Sequence, residues 1–130
     1  MDIVAKAELV IKSLLIRDGN NSEVLQLKIG HIRKFLTAVN LVRNRVEIYK
    51  IQSSDPANLS TEIEAEIKFL KIKLAYQAGR EKTIVKPFVE KAGLIQMIDS
   101  IGNSTERFDE FAKYVEALIA FHRFYGGKDR

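Results

Sequence analysis

Apolar residues recur every three or four positions along almost the whole chain. Ile32, Phe35, Val39, Val42, Val46 and Tyr49 show the rhythm most cleanly, at spacings of three, four, three, four and three. An α-helix gathers residues at that spacing onto one face, and a strand does not. Gly30 is placed to cap this helix, which the pattern extends to about Gln52. Four other stretches read the same way. Asp2 to Arg17 carries Ile3, Ala7, Val10 and Leu14, with Asp2 as N-cap, and stops at the turn Asp18-Gly19-Asn20-Asn21. Beyond the break at Ser53-Ser54-Asp55-Pro56, Thr61 and Glu64 have capping-box spacing ahead of Ile63, Ile67, Leu70 and Leu74. That helix closes near Gly79-Arg80, with glycine in a C-cap role.

A fourth helix has Pro87 in its first turn and carries Phe88, Val89, Ala92, Ile95 and Ile98, with a kink or break at Gly93. Ser104 caps a fifth, with Phe108, Phe111, Val115, Leu118 and His122 on its core face and Gly126-Gly127 at its end. Leu25 to Ile29 alternates like a short extended piece but has no evident strand to pair with, so it reads as a packed connector. The expectation is an all-α fold, a compact five-helix bundle, forming a single domain over residues 1–130.

Composition narrows the function classes. The 130 residues are 46% hydrophobic, enough for one core and too much for wholesale disorder. With no cysteine and two histidines, disulfides and thiolate metal sites are excluded, and a histidine-rich zinc site nearly so. Asp2, Lys6, Glu8 and Lys12 fall within the first fifteen positions, which argues against a signal peptide. No apolar run reaches membrane-spanning length. A cytoplasmic protein is expected.

The net charge of +4 is unevenly distributed. Lys28 to Lys50 holds six basic residues against Glu47 alone, and Lys68 to Lys91 holds seven against Glu81 and Glu90. From Asp99 to Glu116 the sign reverses, with five acids against Arg107 and Lys113. Such runs are commonly solvated helix faces, but they also suit polyanion binding or contact between copies. Arg33, Thr37, Asn40 and Asn44 share one sector of the second helix. Positive charge beside amide and hydroxyl donors fits a phosphate–sugar backbone read without sequence preference. Lys68, Lys71 and Arg80 add a second basic edge; dipole pairing for Arg80 and a Glu64–Lys68 pair are the structural alternatives. Leu41 and Ile48 lie off the core stripe and point weakly to a partner surface. On the third helix Phe69, Ile72, Ala75 and Tyr76 make several sides apolar. Such a helix is central in the bundle or sandwiched between subunits.

Catalytic signatures are lacking. His122 sits on a core stripe, His31 at a helix start, and Glu62, Glu64 and Glu66 in or near a first turn that favours acids. Tyr76 to Arg80 has one glycine and makes no phosphate loop. No recognition helix or aromatic stacking platform is evident.

Four stretches carry a family resemblance: HIRKFL at His31–Leu36, FLKIKLAYQAGR at Phe69–Arg80, VKPFVEKAGLI at Val85–Ile95 and YVEALIAFHRFYGGKD at Tyr114–Asp129. In this order and spacing they resemble the small helical subunit of the type III-A CRISPR–Cas effector, the Csm complex, from about Gly30 onward. The resemblance implies a non-catalytic five-helix bundle that needs no cofactor and takes no small-molecule substrate. It implies stacking of several copies beside the backbone and large subunits, with contacts to the target RNA backbone in the channel holding its duplex with CRISPR RNA. It carries RNA-binding roles over to Arg33, Lys34, Lys71 and Arg80, and also to Lys113 and Arg123, which could instead pair with Asp109 and Glu116. Two positions depart from the family pattern: Gly30-His31 stands where hydroxyl residues are usual, which puts the usual helix cap in question, and Pro87 replaces a polar or acidic residue. The alternative from another class is a helical scaffold or adaptor that binds protein only.

Overall fold

The Asp2 carboxylate accepts hydrogen bonds from the Val4 and Ala5 amides, two of the donors a helix start leaves unpaired. In the computed structural model, which describes residues 2–130, α1 spans Ile3–Ser13 and buries Ala7, Val10 and Ile11. It ends short of Arg17. Leu15–Arg17 is instead a strand, β1, paired antiparallel with β2, Glu23–Leu25. The register sets Leu15 against Leu25, Ile16 against Val24 and Arg17 against Glu23. Of the piece read as a connector, Leu25 to Ile29, only Leu25 belongs to a strand; Gln26 to Lys28 lies outside the ribbon, as the connector reading has it. The turn between the strands is held by Asp18, whose carboxylate accepts from the Asn20 and Ser22 amides.

A 3-10 turn at Ile29–His31 leads into α2, Arg33–Gln52. Gly30 does not cap this helix; Ile32 occupies the cap position and no side chain bonds there. Phe35, Val39, Val42 and Val46 are buried along α2, as the spacing requires. Burial of a side chain of this size is worth about 1.5–3 kcal/mol. The third helix, α3, spans Thr61–Arg80. Its cap is Ser60, whose hydroxyl accepts from the Ile63 amide, so the box predicted from Thr61 is one residue late. Gly79 lies inside the helix, which runs on to a cap at Glu81.

The stretch predicted as one fourth helix is two. α4, Val85–Ala92, and α5, Leu94–Ile101, meet at Gly93 with φ +67. Pro87 sits in the first turn of α4, as expected. Ser104 caps α6, Thr105–Phe124, through the Arg107 amide. Among the described residues there are thus six α-helices and one two-stranded ribbon. The helical class holds and the count of five does not.

α6 packs against α1, α2 and α5, while α3 packs against α2, α4 and α5. α6 buries side chains along its whole length, among them Phe108, Phe111, Ala112, Tyr114, Val115, Leu118 and His122. α3 is not central: Phe69, Ile72 and Tyr76 face outward at 52%, 59% and 63% exposure. The loop before α3 is tied to the start of α6 by Leu59 N–H to Asn103 O (2.7 Å) and by the Thr105 hydroxyl to Pro56 O (2.6 Å).

Candidate nucleic-acid interface

Ion pairs set the register of the helices that carry the basic residues. Arg43 meets Glu116 at 3.1 Å and Lys50 meets Asp109 at 2.6 Å, so α2 and α6 run antiparallel. Arg45 pairs with Glu66, and the Tyr49 hydroxyl donates to Asn58 O beside the α2–α3 connection. α3 therefore folds back along α2. From Arg45 to Arg33 is about 18 Å of helix, and from Glu66 to Arg80 about 21 Å. Arg80 thus comes level with the first turn of α2. By the α2–α6 register, Arg123 reaches the same level from the other side. Four of the six predicted residues, Arg33, Lys34, Arg80 and Arg123, gather at one end of the molecule. Lys71 and Lys113 lie further down α3 and α6.

Their states differ. Arg33, Lys34, Arg80 and Lys113 are exposed, and among the described residues none of them pairs with a carboxylate. The Arg80 guanidinium lies 5.9 Å from the centroid of the Tyr76 ring. Lys71 is held by Asp99 of α5 at 2.9 Å, a partner distant in sequence. Arg123 is held by Asp129 at 2.7 Å. Pairing of Lys113 and Arg123 with Asp109 and Glu116 does not occur, since those acids take Lys50 and Arg43 instead. The Asp109 hydrogen bond raises the Lys50 ammonium above the ordinary lysine value, against a smaller opposing effect of burial.

Thr37, Asn40 and Asn44 are exposed on α2, in line with Arg33. Asn40 borders an open groove of about 430 Å³ between α2 and α6, with Leu36, Val39, Val115 and Ile119 among its walls. Of the α2 sector singled out from the sequence, Asn40 thus shares one groove with Glu116 of α6. The sequence reading took Tyr76 only as part of an apolar helix side and missed Phe124, 76% exposed; both rings lie at the basic end. The signal was their departure from the core stripes of their helices.

The histidines serve the fold. His122 is 1% exposed and its Nε2 bonds Leu27 O at 2.6 Å. A carbonyl only accepts, so Nε2 carries the proton and Nδ1 is left buried without a partner. His31 Nδ1 accepts from the Lys28 amide at 3.0 Å. Among the described residues no three histidine, aspartate or glutamate side chains come together to hold a metal ion, and no helix is long and apolar enough to cross a membrane.

Comparison with known proteins places the chain in a family. Residues 11–128 match the family described as Csm2 Type III-A. A CRISPR system Cms protein Csm2 from Streptococcus thermophilus is 34% identical over 126 residues, covering 97% of this chain and 93% of the relative. Its counterpart from Enterococcus italicus is 29% identical over 131 residues, covering 96% and 89%. A Csm2 from Mycobacterium tuberculosis is 34% identical over a shorter stretch of 79 residues, covering 61% of this chain and 62% of the relative. The chain belongs to the Csm2 Type III-A family and is a small, mostly helical subunit of a type III-A CRISPR system.

Proposed function

We propose that this chain is a non-catalytic, single-domain subunit that stacks in several copies within the effector and contacts the backbone of the target RNA. The observation that carries the RNA reading is that the helix register brings Arg33, Lys34, Arg80 and Arg123 to one end of the bundle, three of them exposed and, among the described residues, free of carboxylate partners. Exposed guanidinium and ammonium groups bind phosphate without regard to base identity, as a subunit serving any guide sequence requires. Lys113 extends the contact along α6. Lys71 joins it when RNA competes with Asp99 for the ammonium, an exchange that an exposed pair permits at low cost. The stacking reading rests on the outward stripe of Phe69, Ile72 and Tyr76, too apolar for an idle surface. Its partners are other copies of the chain and the backbone and large subunits, while the basic end faces the duplex of target and CRISPR RNA.

The test is charge reversal. Arg33→Glu with Arg80→Glu weakens RNA binding in the assembled complex and leaves helical circular dichroism unchanged. Unchanged binding would favour a protein-only adaptor; lost helicity would mark the two residues as structural.

A further inference from the structure

The last turn of α6 leads into a segment that the RNA reading above leaves unused. Tyr125 ends the helix, and Gly126 at φ +92 turns the chain back across His122. The Gly127 amide donates to His122 O at 2.7 Å, and a Cβ at Gly127 would overlap the His122 ring. Only glycine lets the backbone pass this close. Beyond it, Lys128 O and Asp129 O accept from the Ile29 and Gly30 amides at 3.0 and 2.8 Å. Gly30 again permits the approach, since a Cβ there would lie 3.1 Å from Asp129 O. His122 Nε2 fastens Leu27, in the same connector, from beneath. Residues 126–130 are thus strapped across the entrance to α2. Lys28, Lys128 and Arg130 are exposed there; of the acids nearby, Asp129 is spent on Arg123, and Glu23 borders the same cleft as Lys28 and Lys128.

We infer that the strap is a second phosphate-binding element, in which Lys128 and Arg130 hold consecutive phosphates of the RNA strand that Arg33 and Lys34 engage. The inference rests on the RNA reading. The surface is complementary to a polyanion because Lys28, Lys128 and Arg130 outnumber Glu23, Asp129 being taken by Arg123. The bonds to Lys128 O and Asp129 O fix the backbone that carries Lys128 and leads to Arg130, so less backbone ordering entropy opposes binding. Asp129 restrains Arg123, which makes the acid a brake on affinity. The glycines at 30 and 127 exist to seat the strap.

The experiment measures binding of a labelled single-stranded RNA of mixed sequence to the full chain, alone and assembled, across a salt series. K128A/R130A makes the log–log slope shallower by about 1.4 and weakens binding on the order of tenfold near physiological salt, as two lost contacts imply. G127A, which removes no charge, weakens binding to a similar degree. D129N tightens it about two- to fivefold by freeing Arg123, a gain that misfolding cannot produce. A wild-type slope in K128A/R130A, beside a shallower slope in R33E/R80E, would overturn the strap and leave the RNA reading intact. Weaker or equal binding by D129N would also count against it. Salt-insensitive binding by the wild-type protein would remove both readings together.

Discussion

Tyr114 shows how a single polar atom is accommodated in this core. Its ring is fully buried and its hydroxyl donates to Ala92 O at 2.8 Å, joining α6 to the end of α4. Burial pushes the hydroxyl up to about 12 from its ordinary 10.0. The folded state favours the neutral phenol, so this stabilisation is complete below about pH 10 and is lost as pH rises through about 12. Y114F is expected to cost about 1 kcal/mol at neutral pH, the worth of one hydrogen bond with Ala92 O left unpaired. It also removes this residue's share of the alkaline unfolding step, which circular dichroism against pH will detect. The Tyr125 hydroxyl is raised as well, chiefly by its hydrogen bond to Glu8 of α1. Lys50 illustrates the other kind of polar contact. Half-exposed between Asp109 and Glu47, it links α2 to α6 without needing a dry environment. K50A should lower stability by about 1 kcal/mol, and a double-mutant cycle with D109A should recover much of that as coupling.

At the level of elements, Gly93 does the most with the least. Its left-handed conformation ends α4 and starts α5 with no intervening loop. G93A should destabilise the bundle by about 1–2 kcal/mol, read from the midpoint of chemical denaturation. The outward stripe of α3 behaves differently. Phe69→Ser with Ile72→Ser should leave stability within about 0.5 kcal/mol yet reduce self-association in sedimentation, because those side chains are exposed in the single chain.

Helix faces were legible because their signal is local: residues three and four apart in α2, α3 and α6 share a face whatever surrounds them. The break at Gly93 and the cap at Ser104 were legible for the same reason. The β1–β2 ribbon was not, because Leu15 and Ile16 extend the apolar run of α1, and only the turn at Asp18–Ser22 brings a second strand to them. The third helix does close at Arg80, as read, but the cap role given to Gly79 fails, because local propensity is a weak force. Gln77 and Ala78 are buried beside it, and packing carries the helix to Arg80. Basic residues of the site were visible as charges. Their partners Asp99 and Asp129, and the gathering of Arg33, Arg80 and Arg123 at one end, depend on how α2, α3 and α6 align. No spacing in the sequence encodes that alignment.

For the whole molecule, a net +4 understates the electrostatics. Acids of α5 and α6 neutralise cations along the middle: Asp99 takes Lys71, Asp109 takes Lys50 and Glu116 takes Arg43. The end at Arg33, Lys34 and Arg80 keeps its charge. An acidic stretch that looked in the sequence like a separate surface is thus partly consumed in holding helices together. What remains is a molecule with one cationic end and one apolar stripe, the two features on which the proposed RNA contact and stacking rest. The most direct measurement is the salt dependence of RNA binding by the assembled effector, with wild-type chain and with R33E/R80E. At about −0.7 per phosphate contact, the four residues at the basic end should contribute a slope of about −3, and the variant should lose about half of that contribution. The same slope for both proteins would contradict the account.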